Sequence, residues 1–322
     1  ELATKKFGVG AGASRLVTGN NYLYSSLETK IKKLKKTSAC CVFGSGFLAN
    51  IGVISSLMNK KDLILIDELS HASTFLGSKL SGARLIQFKH NNVEDLEKQL
   101  YKFRNKYNKC LILTEGVFSM DGDISPQDDI SILKNKYSAS FMLDDAHGLG
   151  VIGDGTGSNS LFKKKPDIDI YLGTLSKAVG AYGGFICGKK NLINFIINRC
   201  RSQIYTTGLP PSVLAASIKS LEIIQNNKNL IKKPLENAIL FSKKVGLETP
   251  VSPIVPIVLG DENKTLNLST YLKRHGYIVG AIRPPTVPKG TSRLRVAFNS
   301  SHTKFQIKNL ANLIKNKLKI YG

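Results

Sequence analysis

Short apolar runs rich in strand-forming residues alternate with amphipathic stretches from about residue 39 to residue 190. This alternation predicts an α/β fold, in which a large, mostly parallel sheet carries helices on both faces. Seven runs are expected to form its strands: Ala39–Phe43, Leu63–Asp67, Arg84–Phe88, Cys110–Glu115, Ser140–Asp144, Ile168–Gly173 and Gly184–Cys187. Helices fit between them, for example over NNVEDLEKQLYKF and after Pro126, where acidic residues suit a helix start.

A second unit is predicted where this alternation ends. Gly208, Pro210 and Pro211 break the pattern, and a helix beginning near Pro211 leads away from the sheet. The tail then reads as strand, helix, strand, strand and helix, over residues 256–259, 266–275, 277–282, 293–298 and 303–320. We therefore expect an N-terminal segment over residues 1–38, a large domain over 39–225 and a small C-terminal α+β domain over 226–322.

The chain is strongly basic, with 46 Lys and Arg against 23 Asp and Glu and a formal net charge of +23. Such a balance can indicate binding to nucleic acid or to a membrane surface, and a nucleic-acid-binding protein is the alternative from another class. However, the lysines are scattered over polar stretches, and no zinc finger, basic zipper or RNA-binding motif accompanies them. We interpret the charge as a solvated lysine-rich surface, and expect neither nucleic acid nor a membrane as partner.

Cysteine usage and hydropathy favour a reduced, cytoplasmic setting. The five cysteines form no CxxC pair, and four of them lie in apolar runs, where cysteine behaves as a small hydrophobic residue. No apolar run approaches the roughly 20 residues that a membrane-spanning helix needs. The chain begins with ELATKKFGVG rather than with Met, so we expect its true N-terminus to be missing.

The first of three segments with candidate chemistry surrounds a lysine. In YLGTLSKAVGAYGG, Lys177 follows a strand-like run and lies near Thr174, Ser176 and several glycines. The carboxyl end of a strand is where open α/β sheets bind ligands. This segment alone leaves two interpretations open, a functional lysine and one more surface lysine.

The second segment, FMLDDAHGLGVIG, is an apolar strand that ends in two carboxylates and an imidazole. Asp144 and His147 could belong to a metal site or to a hydrolase triad. No HExxH pair, cysteine cluster or GxSxG elbow supports these readings, and we expect no metal. Pyridoxal 5'-phosphate (PLP) chemistry has a use for Lys177, Asp144 and His147: a lysine that forms a Schiff base, an aspartate that keeps the pyridine nitrogen protonated, and a histidine near the phenolic oxygen.

The third segment is GSGFLAN, over Gly44–Asn50, where a predicted strand turns through glycines into a helix. Unpaired backbone N–H groups at a helix start bind anions. The segment is not a Walker loop, because GxxxxGK[ST] is absent, and a glycine-rich turn alone is weak evidence. As a cradle for the phosphate of PLP it fits well.

Together these segments resemble the α-oxoamine synthases, a PLP-dependent family that condenses an amino acid with an acyl thioester and releases carbon dioxide. The resemblance covers essentially the whole chain in order, through SRLVTGN, GSGFLAN, DELSHAS, TEGVFSMDGD, DDAHGLGVIG, TLSKAVG, YTTGLPP and IRPPTVPKGTSRLR. It implies a PLP-dependent transferase of fold-type I, acting as a homodimer with active sites at the subunit interface.

The resemblance also implies roles for single residues around the cofactor. Lys177 would carry PLP and later exchange a proton at the substrate Cα, Asp144 would pair with the pyridine nitrogen, and His147 would hydrogen-bond the ring oxygen. His71 of SHAS would stack over the ring. Further cofactor contacts are expected from Ser45, Gly46, Phe47, Ser119, Thr174, and Thr206 and Thr207 of the partner subunit.

Two arginines are implied as substrate-binding residues. Arg295 of RLR matches the position that binds the amino-acid carboxylate, for which a bidentate guanidinium is suited; without the resemblance it would read as an outward-facing edge residue. Arg283 would approach the acyl donor. The segment IRPPTVPKG most resembles the family members that act in biotin biosynthesis, which join L-alanine to a pimeloyl thioester of CoA or of a carrier protein. Members that use glycine, making 2-amino-3-ketobutyrate or 5-aminolevulinate, are the alternatives. Family members carry a further N-terminal segment, and its absence is expected to remove acyl-donor contacts.

Overall fold

The computed structural model describes residues 1–321, which form two compact units. The first contains Glu1–Gly116 and Ser125–Asn226, and the second begins at Asn227 and also contains Val117–Ile124. Residues 1–38, which the sequence analysis sets apart as an N-terminal segment, are part of the first unit. The segment Val117–Ile124 belongs to the second unit, whereas the sequence analysis places it in the large domain.

The first unit alternates strands and helices. Its strands are β1 (Ala39–Phe43), β2 (Leu63–Asp67), β3 (Arg84–Phe88), β4 (Cys110–Glu115), β5 (Ser140–Asp144), β6 (Ile170–Thr174) and β7 (Gly184–Gly188). Its helices are α1 (Leu2–Phe7), α2 (Tyr22–Lys35), α3 (Gly46–Leu57), α4 (Ala72–Ser81), α5 (Val93–Phe103), α6 (Gln127–Lys136), α7 (Lys190–Arg199), α8 (Arg201–Ile204) and α9 (Pro211–Asn226). The predicted strands are confirmed, with ends that shift by no more than two residues.

The seven strands of this unit, within residues 1–321, form one sheet in the order β1-β7-β6-β5-β4-β2-β3. Strands β3, β2, β4, β5 and β6 run parallel, and β7 is antiparallel to both β1 and β6. Glu115 at the end of β4 lies opposite Asp144 at the end of β5, which in turn lies opposite Leu172. The carboxyl ends of these strands therefore meet at one edge of the sheet.

The central strands are buried along their whole length. The runs LILID of β2 and CLILTE of β4 have no exposed residue, as expected for parallel strands covered on both faces. On one face, Ala49, Val53 and Ile54 of α3 pack in a common core with Met142 and Leu172. This contact fixes α3 on the sheet face toward which even-numbered residues of β5 and β6 point.

The second unit is a small α+β domain, as the sequence predicts. Its antiparallel sheet has the order β8-β10-β9, and its elements are α10 (Lys228–Val245), β8 (Ile254–Gly260), α11 (Glu262–Arg274), β9 (Gly280–Ile282), β10 (Ser292–Ala297) and α12 (Lys304–Tyr321). Helix α10 is absent from the sequence prediction. Asn227 caps its start by accepting a hydrogen bond from Leu230 N, and its inner face contributes Ala238 and Phe241 to the core.

The segment Val117–Ile124 joins the second unit through side chains and backbone together. Val117 and Ile124 form an antiparallel bridge that closes the segment into a loop. Within this loop Asp121 makes an ion pair with Arg293 of β10. A Cβ added to Gly122 would lie 2.4 Å from Ile254 O, so only glycine allows this close approach to β8. These long-range contacts leave no periodic signal in the sequence.

The cysteines are packing residues. All five are buried free thiols, and burial raises the pKa of the Cys110 thiol to about 12, while burial also raises the pKa of Cys41. Such thiols stay protonated and pack as small apolar groups, as predicted. In the described part of the chain, no helix has both the length and the apolarity needed to cross a membrane. The cytoplasmic location stays a prediction.

Replacing Phe241 by Ala should lower the free energy of unfolding of the second unit by about 3–5 kcal/mol, because it empties a fully buried site. The Phe241 ring lies 5.2 Å from that of Phe298, centroid to centroid. Denaturant unfolding followed by circular dichroism measures the loss. The control is Phe305→Ala, whose ring is 78% exposed and which should change stability by less than about 0.5 kcal/mol. Equal losses in both variants would contradict this description of the core.

Candidate active site

The carboxylate of Asp144 lies at the carboxyl end of β5, where backbone and side-chain donors converge on it. Asn50 Nδ2, from α3, donates to Asp144 Oδ2 at 2.8 Å, and Ala146 N donates to Oδ1 at 3.1 Å. Asp144 is only 8% exposed. The two donors therefore fix the orientation of the Asp144 carboxylate at the end of β5.

Asn50 also connects Asp144 to His71 through Ser73. Asn50 Nδ2 lies 3.0 Å from Ser73 Oγ, and Ser73 Oγ lies 2.7 Å from His71 Nδ1. Ser73 N donates to the same nitrogen at 3.2 Å, and because an amide N–H can only donate, Nδ1 is the unprotonated nitrogen of the ring. The Ser73 hydroxyl therefore donates to His71 and accepts from Asn50, which fixes the orientation of all three side chains.

The pKa of His71 is lowered from its ordinary value. Burial is the main cause, and the positive charge of Lys177 acts in the same direction, whereas the negative charge of Asp144 acts against them. By surface area the residue is exposed, so water screens these charge effects. The lowered pKa agrees with the hydrogen-bond pattern, which requires a neutral ring.

Lys177 and His147 are brought together from two different loops. Lys177 follows β6 by three residues, His147 follows β5 by three, and Lys177 Nζ lies 2.6 Å from His147 Nε2. The lysine loop is closed by a hydrogen bond from Gly180 N to Lys177 O at 2.9 Å. Lys177 is exposed and His147 is half-buried, so an amine is presented at the strand edge with an imidazole beside it.

The start of α3 forms the candidate anion site. Ser45 caps this 12-residue helix by accepting a hydrogen bond from Leu48 N, which leaves Gly46 and Phe47 with N–H groups in the first turn, where no intrahelical acceptor exists. Thr174 is close, since a Cβ on Gly46 would lie 3.6 Å from its Cβ. Gly184 of β7 approaches the same turn so closely that a Cβ there would lie 2.5 Å from Gly46 N. An anion bound here would meet backbone N–H groups and the positive end of a helix dipole.

Thr206 lies beside Gly44, and Thr207 lies beside Ser14, in their own chain. A Cβ on Gly44, next to Ser45, would lie 3.5 Å from Thr206 Cγ2. Thr207 forms an antiparallel bridge with Ser14. Contact of these threonines with the phosphate of a partner subunit stays a prediction.

In the second unit, Ser119 and Arg295 are in contact. Arg295 Nε donates to the backbone oxygen of Ser119. Desolvation lowers the pKa of Arg295, and its terminal nitrogens have no carboxylate acceptor within residues 1–321. The neighbouring Arg293 is instead paired with Asp121. Arg295 is thus a partly buried guanidinium with capacity for an anion, whereas Arg293 is neutralised within the protein.

Arg283 lies elsewhere in the second unit, directly after β9, and its side chain is exposed. Its backbone oxygen accepts a hydrogen bond from Thr286 N at 3.0 Å, which closes the turn over Pro284 and Pro285. Its role toward an acyl donor stays a prediction.

Three functional residues were not singled out from the sequence. Asn50 and Ser73 lie inside the quoted motifs GSGFLAN and SHAS, so position in a motif was a signal for both. Asp145 follows Asp144 in DDAH, but it points to the other face of the sheet, where it pairs with a lysine. The two adjacent aspartates are distinguished by their partners in the folded chain, Asn50 for Asp144 and a lysine for Asp145.

The donor set fits PLP. It offers an amine on Lys177, a carboxylate on Asp144 that accepts two hydrogen bonds, and imidazoles on His71 and His147. It also offers a helix start whose first N–H groups have no intrahelical acceptor, next to Thr174. Within the described chain, no three His, Cys, Asp or Glu side chains gather into a metal-binding group. Fold and donor set define a PLP-dependent transferase of fold-type I.

Comparison with known proteins identifies the family. The sequence model of aminotransferase class I and II matches residues 2–314, and the chain belongs to this family. It is 50% identical over 313 residues to the 8-amino-7-oxononanoate synthase of Granulibacter bethesdensis, which covers 97% of this chain and 81% of that protein. It is 47% identical over 312 residues to the enzyme of the same name from Beijerinckia indica, again over 97% of this chain and 81% of that protein.

Solved structures agree with this assignment. Serine palmitoyltransferase from S. paucimobilis with a bound PLP–myriocin aldimine superimposes with a TM-score of 0.95 at 31% identity, over 100% of this chain and 82% of that one. The 8-amino-7-oxononanoate synthase of Francisella tularensis superimposes with a TM-score of 0.82 at 29% identity, over 99% and 91%. The chain is therefore a PLP-dependent α-oxoamine synthase, as the motifs predicted.

In an NMR titration the His71 ring should change charge below the ordinary histidine pKa of about 6.5. Because folding lowers this pKa, the stability contributed by His71 is present above the unfolded-state pKa and is lost as the pH falls through the folded-state pKa. A His71→Gln variant assigns the resonance. A titration midpoint above the ordinary value would show that folding favours the charged ring, which would contradict the hydrogen-bond pattern described.

Proposed function

We propose that the protein condenses L-alanine with a pimeloyl thioester, with loss of carbon dioxide, to give 8-amino-7-oxononanoate for biotin biosynthesis. The observation that carries the proposal is the site at the carboxyl ends of β5 and β6. There Lys177 Nζ lies 2.6 Å from His147 Nε2, on the edge that Asp144 shares. The chain that carries this site is 50% identical over 313 residues to an enzyme named 8-amino-7-oxononanoate synthase. The acyl carrier is CoA or a carrier protein.

The cofactor would be held at three points by residues of the first unit. Lys177 would hold it covalently through Nζ, Asp144 would pair with the pyridine nitrogen, and Gly46 and Phe47 would donate N–H groups to the phosphate. His71 would lie over the ring. When bound, PLP withdraws electron density from the Cα of an amino acid, which stabilises negative charge on that carbon.

Lys177 would move the protons of the reaction. With L-alanine bound in the site, Nζ would take the Cα proton, which lets that carbon attack the thioester carbonyl and expel the thiol. Nζ would return a proton to the same carbon after the carboxylate leaves as carbon dioxide. His147 would hold the ring oxygen and, 2.6 Å from Nζ, orient the amine for both transfers. Asp144, oriented by the hydrogen bond from Asn50, would pair with the protonated pyridine nitrogen.

Arg295 would bind the carboxylate of L-alanine. Support comes from its partial burial, its lack of a carboxylate partner within residues 1–321 and the hydrogen bond that Nε donates to Ser119. That hydrogen bond leaves the two terminal nitrogens for a bidentate contact. Ser119 would thereby orient the guanidinium as well as lie near the cofactor. Arg283 would contact the acyl donor.

The working form would be a homodimer with interface sites. The motif YTTGLPP supports this part of the proposal, because its resemblance to the α-oxoamine synthases assigns Thr206 and Thr207 to the phosphate of the partner subunit. In a dimer these hydroxyls would be available to the phosphate of the partner subunit.

Lys177→Ala should abolish the link between protein and PLP that borohydride reduces, because Lys177 is the lysine at the strand edge, with Nζ 2.6 Å from His147 Nε2. Mass spectrometry of peptides after reduction locates the modified residue. The control, Lys190→Ala, removes an exposed lysine at the start of α7 and should leave the link intact. A reduced cofactor on another lysine would refute the assignment.

Arg295→Ala should leave PLP bound while weakening L-alanine binding by roughly 2–5 kcal/mol, the usual effect of truncating one partner of a buried charge pair. Titration with L-alanine, followed by the absorbance of the bound cofactor, gives the dissociation constant. Arg283→Ala, on an exposed arginine, should leave this constant unchanged.

Unaltered L-alanine affinity in Arg295→Ala would assign the carboxylate to another residue. The same titration of the unmodified protein with glycine separates the proposed reaction from its nearest alternatives. Tighter binding of glycine than of L-alanine would favour the glycine-using members of the family.

A further inference from the structure

A fully buried ion pair lies on the sheet face opposite the candidate cofactor site. Lys35, the last residue of α2, approaches Asp145 Oδ2 with Nζ at 3.1 Å, and both side chains are 1% exposed. The same Nζ donates to Thr156 O at 2.6 Å and to Asn159 Oδ1 at 3.3 Å. It lies 4.8 Å from the centre of the Tyr171 ring. The three protons of the ammonium group therefore all have acceptors.

The backbone of Asp145 starts the turn that carries His147. Asp145 N donates to Leu172 O of β6 at 2.9 Å, and Asp145 O accepts from Gly148 N and Leu149 N, each at 3.2 Å. The side chain is held separately, since Ser158 Oγ donates to Oδ1 at 2.7 Å. Both the backbone and the side chain of Asp145 are therefore held by hydrogen bonds. In the sequence Asp145 lies between Asp144 and His147.

Three glycines leave room for the Asp145 carboxylate and for nothing larger. A Cβ on Gly116, Gly148 or Gly157 would lie 2.3, 2.1 or 1.8 Å from one of its oxygens. Real Cβ atoms do not approach so closely, so a side chain at any of these positions would displace the carboxylate. Gly116 follows β4 and Gly148 follows His147, so the packing extends directly to the strand edge that bears the site.

We propose that Lys35 and Asp145 are positioning residues, which fix the turn after β5 so that Asp144 and His147 face the cofactor in the correct geometry. The inference rests on the proposed roles of those two residues. Asp144 and Asp145 point to opposite faces, toward Asn50 of α3 and Lys35 of α2. Removing Lys35 would leave an uncompensated buried carboxylate, which relaxes by moving the backbone that both catalytic side chains share.

The chain offers a matched control at the other end of the same strand. Lys134 of α6 is also buried, 5% exposed in its side chain, and it pairs with Asp167 at 2.8 Å and Asp169 at 2.9 Å. Asp169 accepts a hydrogen bond from Phe141 N near the start of β5. Loss of Lys134 would therefore disturb β5 at its amino end, away from the turn.

The test compares Lys35→Met with Lys134→Met in the full chain loaded with PLP. Both should unfold at a lower temperature than the unmodified protein. Only Lys35→Met should alter the visible circular dichroism per bound cofactor, which reports ring orientation. It should also lower kcat about tenfold to a hundredfold, because small displacements of reacting groups cost rates of that order. The KM for L-alanine should stay unchanged, since its carboxylate is assigned to Arg295.

Wild-type dichroism and kcat in Lys35→Met, or equal changes in Lys134→Met, would overturn the inference. If Lys35→Met does not fold, the double variant Lys35→Met with Asp145→Asn removes both charges, and the same two readouts decide. Failure of the proposed function would differ, because it would appear in the unmodified protein as absence of the expected product, while the dichroism of the two variants would still test the positioning role.

Discussion

The parallel pairing of β5 with β6 is the constraint on which the candidate site depends. It sets Asp144 opposite Leu172, so that the loops after the two strands begin at the same edge and bring His147 within hydrogen-bond distance of Lys177. Shifting the register by one residue would turn Asp144 to the other face of the sheet, away from α3. The register of β5 against β6 therefore decides whether Asp144 faces the candidate site.

Helix α3 connects the two ends of that site. Ser45 caps its start, where N–H groups face the candidate phosphate position, and Asn50 on its second turn donates to Asp144. Five residues of helix correspond to a rise of about 7.5 Å. One rigid element thus sets the distance between the anion-binding turn and the carboxylate, and the apolar packing of Ala49 and Val53 holds that element on the sheet.

Much of this arrangement could be predicted from the sequence because the information is local. Each central strand is a short apolar run, and Lys177, Asp144, His147 and His71 lie in motifs that a family resemblance makes readable. The roles of Lys35 and of the segment Val117–Ile124 could not be predicted. Lys35 lies 110 positions from Asp145, and no periodicity joins residues so far apart. The same holds for the pairing of Asp121 with Arg293, 172 positions away.

The net charge of +23 has a simple structural counterpart. Some buried and half-buried acids are paired individually with cations, as Asp145 is with Lys35 and Glu28 is with Arg15, while most lysines lie on exposed positions. Arg295 is a half-buried cation without a carboxylate partner among residues 1–321. Most of the surplus charge is therefore a property of the surface, and Arg295 is the proposed carboxylate site.

The most direct test is product analysis by mass spectrometry after mixing the protein with PLP, L-alanine and a pimeloyl thioester, supplied in parallel as the CoA and the carrier-protein form. The account predicts 8-amino-7-oxononanoate from at least one donor, with one carbon dioxide released per product. A product formed from glycine in preference to L-alanine, or none from either donor by a protein that holds PLP on Lys177, would contradict it.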